Sequence, residues 1–370
     1  MSGRIFLHVG LQKTGTSYLQ GIVFQSVAQL ADQGVAVVPA TKRRMFWLML
    51  DVRGRIRPDF DPPEVAASVD RFAAELARTT APTALVSEES LAPATDEQIE
   101  RLLAACGDRE VHVVVTLRDL ARQIPSAWQE SLKAGASYRF DDYLDKLRRQ
   151  ENKPGHHLWR QKDVPRLLGA WSRHVPVDRI HVVTVPPEGS DPALLLERFC
   201  EVIGVEPARL DRDVVRKNEG LKHVGAEVLR RVNEELAPTH RKRDVYGDVG
   251  KRYLSTQILA RQQGERIRIP ERRREWTQRV SQSHIDYIRT EGFGVVGDLA
   301  DLQPGQESFA AASTQPSEAE VSAVAAKALA VVIGDEMDRR RALRSTPGSA
   351  PGAPTSAPGL RGRILSRLRR

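Results

Sequence analysis

Lysine, glycine and hydroxyl side chains crowd one stretch of this chain, Arg4 to Gln20, which reads RIFLHVGLQKTGTSYLQ. That mixture suits an anion. Gly10 and Gly15 let the backbone approach a ligand closely, Lys13 brings a mobile positive charge, and Thr14, Thr16 and Ser17 bring hydroxyl donors. To act together they must be held at one point, and the flanking residues supply the means. Ile5 to Val9 is a short apolar run, β-branched at both ends, and predicts a buried strand. Thr16 to Leu30 follows a helical pattern, with Leu19, Ile22, Val23, Val27 and Leu30 on one face. Strand, glycine loop and helix in that order aim the first helical amides at the loop, where the helix dipole favours negative charge.

The nearest common phosphate motif is G-x-x-x-x-G-K-[ST]. Gly10 and Gly15 have its glycine spacing and Ser17 its final hydroxyl position, but Thr16 stands at its lysine position and Lys13 lies inside the loop. The chain thus departs from an ATP- or GTP-binding loop at the residue that reaches the terminal phosphates. The segment HVGLQKTGTSYLQ instead resembles the 5′-phosphosulfate loop of sulfotransferases that use 3′-phosphoadenosine 5′-phosphosulfate (PAPS). The resemblance implies that Lys13 touches the phosphosulfate. It also implies that the loop from Gly10 through Thr14, Gly15, Thr16 and Ser17 holds the 5′-phosphate with amides and hydroxyls.

PAPS carries a separate phosphate on the ribose 3′ oxygen, so a second phosphate site is expected at a strand end. Val111 to Leu117 is nearly all apolar and β-branched, as in a central parallel strand, and Arg118 stands at its C-terminal end, where open α/β sheets bind ligands. The planar fork of an arginine donates two parallel bonds to a phosphate. The family's 3′-phosphate pattern is this arginine, a serine eight residues later and a nearby aromatic, matched here by Arg118, Ser126 and Trp128. Because of Pro125, the regular helix is expected to start near Ile124 and leave the Ser126 amide free. Further along, DVPRLLGAWSRHVPVDRIHVVTVPP, LLLERFCEVIGVEP and RKNEGLKHVGAEVLRRVNEEL continue the likeness, which is to bacterial sulfotransferases of a type common in actinobacteria and covers roughly residues 4 to 300. In many relatives an asparagine, with a serine two residues on, closes over the nucleotide; here Gly220 replaces the serine and Asn218 alone is left to make that contact.

Sulfuryl transfer to a hydroxyl or amine needs a general base within hydrogen-bond reach. The strand ALVSEES ends in Glu88 and Glu89 beside the loop, and two confined carboxylates raise one another's pKa. The family uses a glutamate or a histidine, so His156 and His157, ahead of Trp159, are the other candidates. Glu88 and Glu89 equally suit a helix N-terminus capped by Ser87 or Ser90. Adjacent residues point different ways, so one of the pair at most is expected to face the acceptor, and Glu88 is preferred. Lys13 would stabilise the charge that builds on the bridging oxygen as the group leaves. No metal is required, and the sequence shows no metal-ligand cluster. Two other functions compete. A nucleotide-dependent kinase would use Mg²⁺ with Asp119 or Glu88 as its acid, and lacks its Gly-Lys pair here. A nucleotide-binding or membrane-surface scaffold without catalysis would have no call for intact Lys13, Arg118 and Ser126.

The remaining features bound these readings. The chain has 370 residues, 41% hydrophobic and 28% charged, enough for one large α/β domain with additions. Strands are predicted near 4–9, 34–38, 83–87, 111–117 and 179–185, alternating with helices, which implies right-handed crossovers. The fold class expected is a P-loop-like three-layer α/β/α with a mainly parallel sheet, followed by a helical C-terminal region and a disordered tail. Residues 1–300 form the expected sulfotransferase domain, with helices over 221–290. Residues 303–317 read as a linker and Val321 to Leu343 as a helix, within a segment 301–344. Residues 345–370 are low in complexity and end in GLRGRILSRLRR, whose arginines and apolar stripe suit peripheral contact with an anionic membrane. Cys106 and Cys200 fall in helical patterns and suggest no disulfide framework, and the first strand begins at once, so a cytoplasmic protein without signal peptide is expected. The net charge of +8 suits an anionic cofactor; the expected partner is a small-molecule, glycan or lipid acceptor, with no nucleic acid.

Overall fold

Six parallel strands are placed by the most apolar runs of the chain. They are β1 (Arg4–His8), β2 (Val35–Val37), β3 (Thr83–Ser87), β4 (Glu110–Leu117), β5 (Ile180–Thr184) and, after a two-residue strand β6 (Ile269–Pro270), β7 (Gly294–Val296). The sheet order is β2-β3-β1-β4-β5-β7, every pair parallel. β6 pairs separately with β8 (Phe309–Ala310). The computed structural model describes residues 3–344 apart from 152, 154–156, 214–219, 242 and 311–314. Asn218, His156 and the basic C-terminal tail therefore lie outside the described residues, as does the His157 side chain.

The chain divides into two units. The first, Met1–Ala127 with Asp141–Lys217 and Arg268–Ser313, holds all the strands. Every residue of β3 is buried, as are the last four of β1 and the last five of β4, so both sheet faces are covered and the runs need no polar alternation. β1 lies between β3 and β4, with His8 opposite both Ser87 and Val114. The chain adds strands on one side of β1 first and then crosses to the other, so the direction of winding reverses at the end of β1. Open sheets leave a ligand crevice at such a point. The helix predicted from Thr16 breaks once. Thr16–Gln25 and Val27–Ala31 are separated at Ser26, whose hydroxyl accepts the Asp211 amide at 2.9 Å.

The second unit, Trp128–Phe140 with Asn218–Ile267 and Thr314–Arg370, has helices as its regular elements among the described residues. Its helices include His223–Glu235 and Glu318–Arg344, and a π-helix, Gly247–Ile258. Asn233 donates to the carbonyls of Leu132 and Ala136 at 2.8 and 2.7 Å, and Arg231 pairs with Glu318.

Three expectations need correction. The helix carrying Ser126 starts at Leu120 and runs to Lys133 with Pro125 inside it, because Asp119 caps its start through the Arg122 amide at 2.9 Å and offsets the loss at the proline. Residues 303–317 are more than a linker: they supply β8, with Phe309 stacked under the Arg274 guanidinium at 4.2 Å. The region 221–290 is broken before β6 by a non-helical stretch over 262–268.

Trp171 ties the sheet's helical cover together. It is fully buried in the helix Val164–Ser172, and its indole N–H donates to the Ala92 carbonyl at 3.1 Å. Trp171→Ala is expected to lower unfolding free energy by about 3–5 kcal/mol in a urea titration followed by circular dichroism. A loss below about 1 kcal/mol would mean that this cover contributes little.

Candidate functional site

The glycine loop begins where β1 stops, and β4 continues past it. That offset positions everything that follows. The amides of Val9 and Gly10 donate to the Val114 carbonyl, and the Leu11 amide donates to that of Thr116. The loop is thus hung on the free end of β4. Thr116, the one hydroxyl in the apolar run of that strand, also meets the Thr14 hydroxyl at 2.8 Å, and Thr14 donates to the Leu11 carbonyl at 2.5 Å. Gln123, from the helix after β4, donates to the Gln12 carbonyl at 2.9 Å. Arg118 donates to the Lys13 carbonyl at 3.4 Å.

These ties force a tight curl. Lys13 takes a left-handed backbone conformation at φ 69°, and Gly15 takes φ 84° as the residue that caps the helix Thr16–Gln25. A Cβ on Gly15 would lie 2.5 Å from a Leu195 methyl, so glycine is required there for space as well as conformation. No side chain caps this helix, and its first turn carries no acid. Among the described residues, no carbonyl or side chain accepts from the amides of Thr14, Gly15, Thr16 or Ser17. Orphan amides at a helix start, with a lysine in the loop, are what an anion needs.

The structure brings Gly10, Lys13, Thr14, Gly15, Thr16, Ser17 and Arg118 together at the end of the sheet. It gives them unequal parts. Thr14 and Thr16 are buried, and the Thr14 hydroxyl is spent inside the loop, whereas Ser17 is exposed. Arg118 does not pair with Asp119, whose carboxylate is held by the Arg122 side chain. The Ser126 hydroxyl donates back to the Arg122 carbonyl at 3.1 Å within its helix. Trp128 is a core residue of the second unit, with its indole N–H on the Tyr138 carbonyl at 3.1 Å and its ring 5.1 Å from that of Phe140.

Glu88 and Glu89 follow β3 beside the loop and part company. The Glu88 amide donates to the His8 carbonyl at 3.0 Å, while its carboxylate accepts the Ser90 amide at 3.0 Å and so caps the turn Glu89–Leu91. Glu89 instead lines an open recess with Leu11, Gln12, Arg53 and Arg55. Adjacent residues thus do point apart: Glu88 caps its turn and Glu89 lines the recess. Among the described residues, no group of three or more His, Cys, Asp or Glu is placed to hold a metal, and no helix is long and apolar enough to cross a membrane.

Sequence reasoning missed His8, Thr116, Gln123 and Arg53. His8 is wholly buried between Ser87, whose hydroxyl meets its Nδ1 at 2.8 Å, and the Phe199 ring at 4.9 Å. Burial pushes its pKa down to about 3, so it is a neutral imidazole. A polar residue breaking an apolar strand run, as His8 and Thr116 do, was the available signal.

Burial raises the Glu88 pKa above the ordinary 4.5 and outweighs the Ser90 amide, which lowers it. A raised value in the folded state means that the native protein holds this proton more tightly than the unfolded chain. The stability Glu88 adds is therefore complete below about pH 4.5 and is lost as pH rises through the folded value. Glu88→Gln keeps the neutral shape, so the gap in unfolding free energy between wild type and variant should shift against the wild type as pH is raised from 4 to 8 in parallel denaturant titrations. A gap moving the other way would mean that the Ser90 bond dominates.

No family model and no curated protein matches this sequence. Among solved structures, the crystal structure of a sulfotransferase from Alicyclobacillus acidocaldarius matches at 14% identity and a TM-score of 0.38, covering 65% of this chain and 100% of that chain. A likeness at that score carries no argument, and the loop geometry has to stand alone.

Proposed function

We propose that this protein transfers a sulfuryl group from PAPS to a hydroxyl or amine, on a P-loop-like α/β fold. One observation carries the reading: Lys13, Arg118 and four helix-start amides without acceptors among the described residues converge on one curled loop. A phosphosulfate nucleotide bears anionic groups that match such donors, and the lysine sits within the loop, as in the phosphosulfate loops the sequence resembles.

In this reading the acceptor oxygen or nitrogen attacks sulfur in line, the bond from sulfur to the bridging oxygen breaks, and adenosine 3′,5′-bisphosphate leaves with the bond's electron pair. Lys13 offsets the charge that builds on the bridging oxygen. The acceptor proton goes to Glu89, which lines the recess next to Gln12, while Glu88 is engaged by the Ser90 amide. Arg118 holds the nucleotide's 3′-phosphate by a charged, forked contact.

Transfer of label from ³⁵S-PAPS to an acceptor in cell extract, in the presence of EDTA, is the direct test; a magnesium-dependent kinase would be silent under those conditions. Lys13→Ala should lower kcat by roughly a hundredfold or more, as removal of one such donor does elsewhere. Arg118→Ala should weaken 3′-phosphorylated nucleotides by about 1.5–3 kcal/mol and leave adenosine 5′-phosphosulfate nearly unchanged. Equal losses for both ligands would refute the assignment of Arg118.

The two glutamates separate by rate. Glu89→Gln should cost about 10²–10⁴ in kcat, the usual contribution of a positioned base, with nucleotide affinity retained. Glu88→Gln should leave kcat within about tenfold. The reverse order would return the role of base to Glu88.

A further inference from the structure

The recess that Glu89 shares with Gln12 carries an unusual charge. Arg53 is only 7% exposed, yet among the described residues no carboxylate lies within the 4.0 Å of an ion pair with it. Its guanidinium donates instead to the side-chain oxygen of Gln98 at 2.8 Å and to the Ser90 carbonyl. A buried charge is ordinarily paired, because leaving it alone in a low dielectric is costly.

Two more arginines crowd it. Arg55 stands exposed at the recess wall. Arg160 is half-buried beside Gln161, another wall residue, and its Nε is buried without a hydrogen-bond partner among the described residues. Burial, then the charges of Arg55 and Arg160, bring the Arg53 pKa down to about 10; burial, then Arg55 and Arg166, lower that of Arg160. Arg53 and Arg55 stand on the same wall of the recess, and Arg160 precedes the lining Gln161. Glu89 is the one acid among the residues that line the recess, against Arg53 and Arg55. The recess is shallow and opens to solvent, so a ligand would rest on its wall and extend outward.

We infer that this recess binds an anionic acceptor, a small molecule or glycan unit bearing a carboxylate or sulfate that settles against Arg53, Arg55 and Arg160 while its hydroxyl faces Glu89. The transfer step rests on the function proposed above; the anion site does not. Arg53 forms the floor, fixed by Gln98 and Ser90. Arg55 and Arg160 are the adjustable contacts. A neutral acceptor would leave Glu89 as the one acid among the lining residues to balance these arginines.

The test is a binding comparison on the full chain with three probes of one shape: 4-methylumbelliferyl β-glucuronide, the 6-sulfated β-glucoside and the neutral β-glucoside. Both anionic probes should bind at least about tenfold tighter than the neutral one, a difference expected of a charged hydrogen bond. The margin should shrink as salt is raised. The double variant Arg55→Ala/Arg160→Ala should erase it, Arg55→Lys should keep most of it, and adenosine 3′,5′-bisphosphate should bind the double variant within about threefold of wild type. A carboxylate preferred over the sulfate, or the reverse, identifies the source of the charge. Equal binding of all three probes, binding of none, or a preference that survives the double variant would overturn the inference. So would a matching loss of nucleotide affinity, which would put these arginines on the nucleotide. Wild type that discriminates the probes yet ignores the nucleotide would sink the transferase reading alone and leave the anion recess standing.

Discussion

The site depends on a mismatch in strand length. β1 ends at His8, opposite Val114, while its neighbour β4 runs on to Leu117, so from Val115 onward β4 has no strand opposite it on that side. The loop supplies the missing partners with the amides of Val9, Gly10 and Leu11. Backbone groups in a buried place must be paired, and here that requirement curls the loop. With its early amides committed to β4, the chain must turn sharply to start the helix at Thr16. It does so through left-handed conformations at Lys13 and Gly15. The later amides are left without acceptors among the described residues.

Much of this was legible in the sequence, and the reasons are specific. β1, β3, β4 and β5 are short apolar runs with turn residues at their ends, and all four stand within a residue or so of where the pattern put them. β7 was not legible: Gly294, Val295 and Val296 are too few to show any period, and only pairing with β5 makes them a strand. Pro125 misled, since its rule concerns the bond it deletes and takes no account of a strong cap upstream. The aromatic Trp128 misled as well; a tryptophan in the expected position proved to be a packing residue with its N–H satisfied by backbone.

The candidate site was legible in its loop and illegible in its walls. Glycine spacing, Lys13 and Arg118 are local signals that survive without coordinates. The grouping of Arg53 and Arg55 with Arg160 is not local, because Arg160 lies more than a hundred residues from the other two and each arginine alone is unremarkable in a chain with 56 basic residues. The burial of Arg53, away from any carboxylate partner among the described residues, is what distinguishes the group. Which of Glu88 and Glu89 caps the turn was beyond sequence for a related reason: it is decided by where the Ser90 amide ends up.

The buried imidazole of His8 has a consequence of its own. With a pKa near 3, it stays uncharged throughout the range in which a folded protein is normally handled. It lies under the loop, within 3.3 Å of where a side chain at Gly10 would begin. Its ring resonances in a nitrogen NMR spectrum are therefore blind to acid and base. Any movement of those resonances on adding a nucleotide would report the curl of the loop itself, which makes His8 a built-in spectroscopic sensor seated beneath the candidate site.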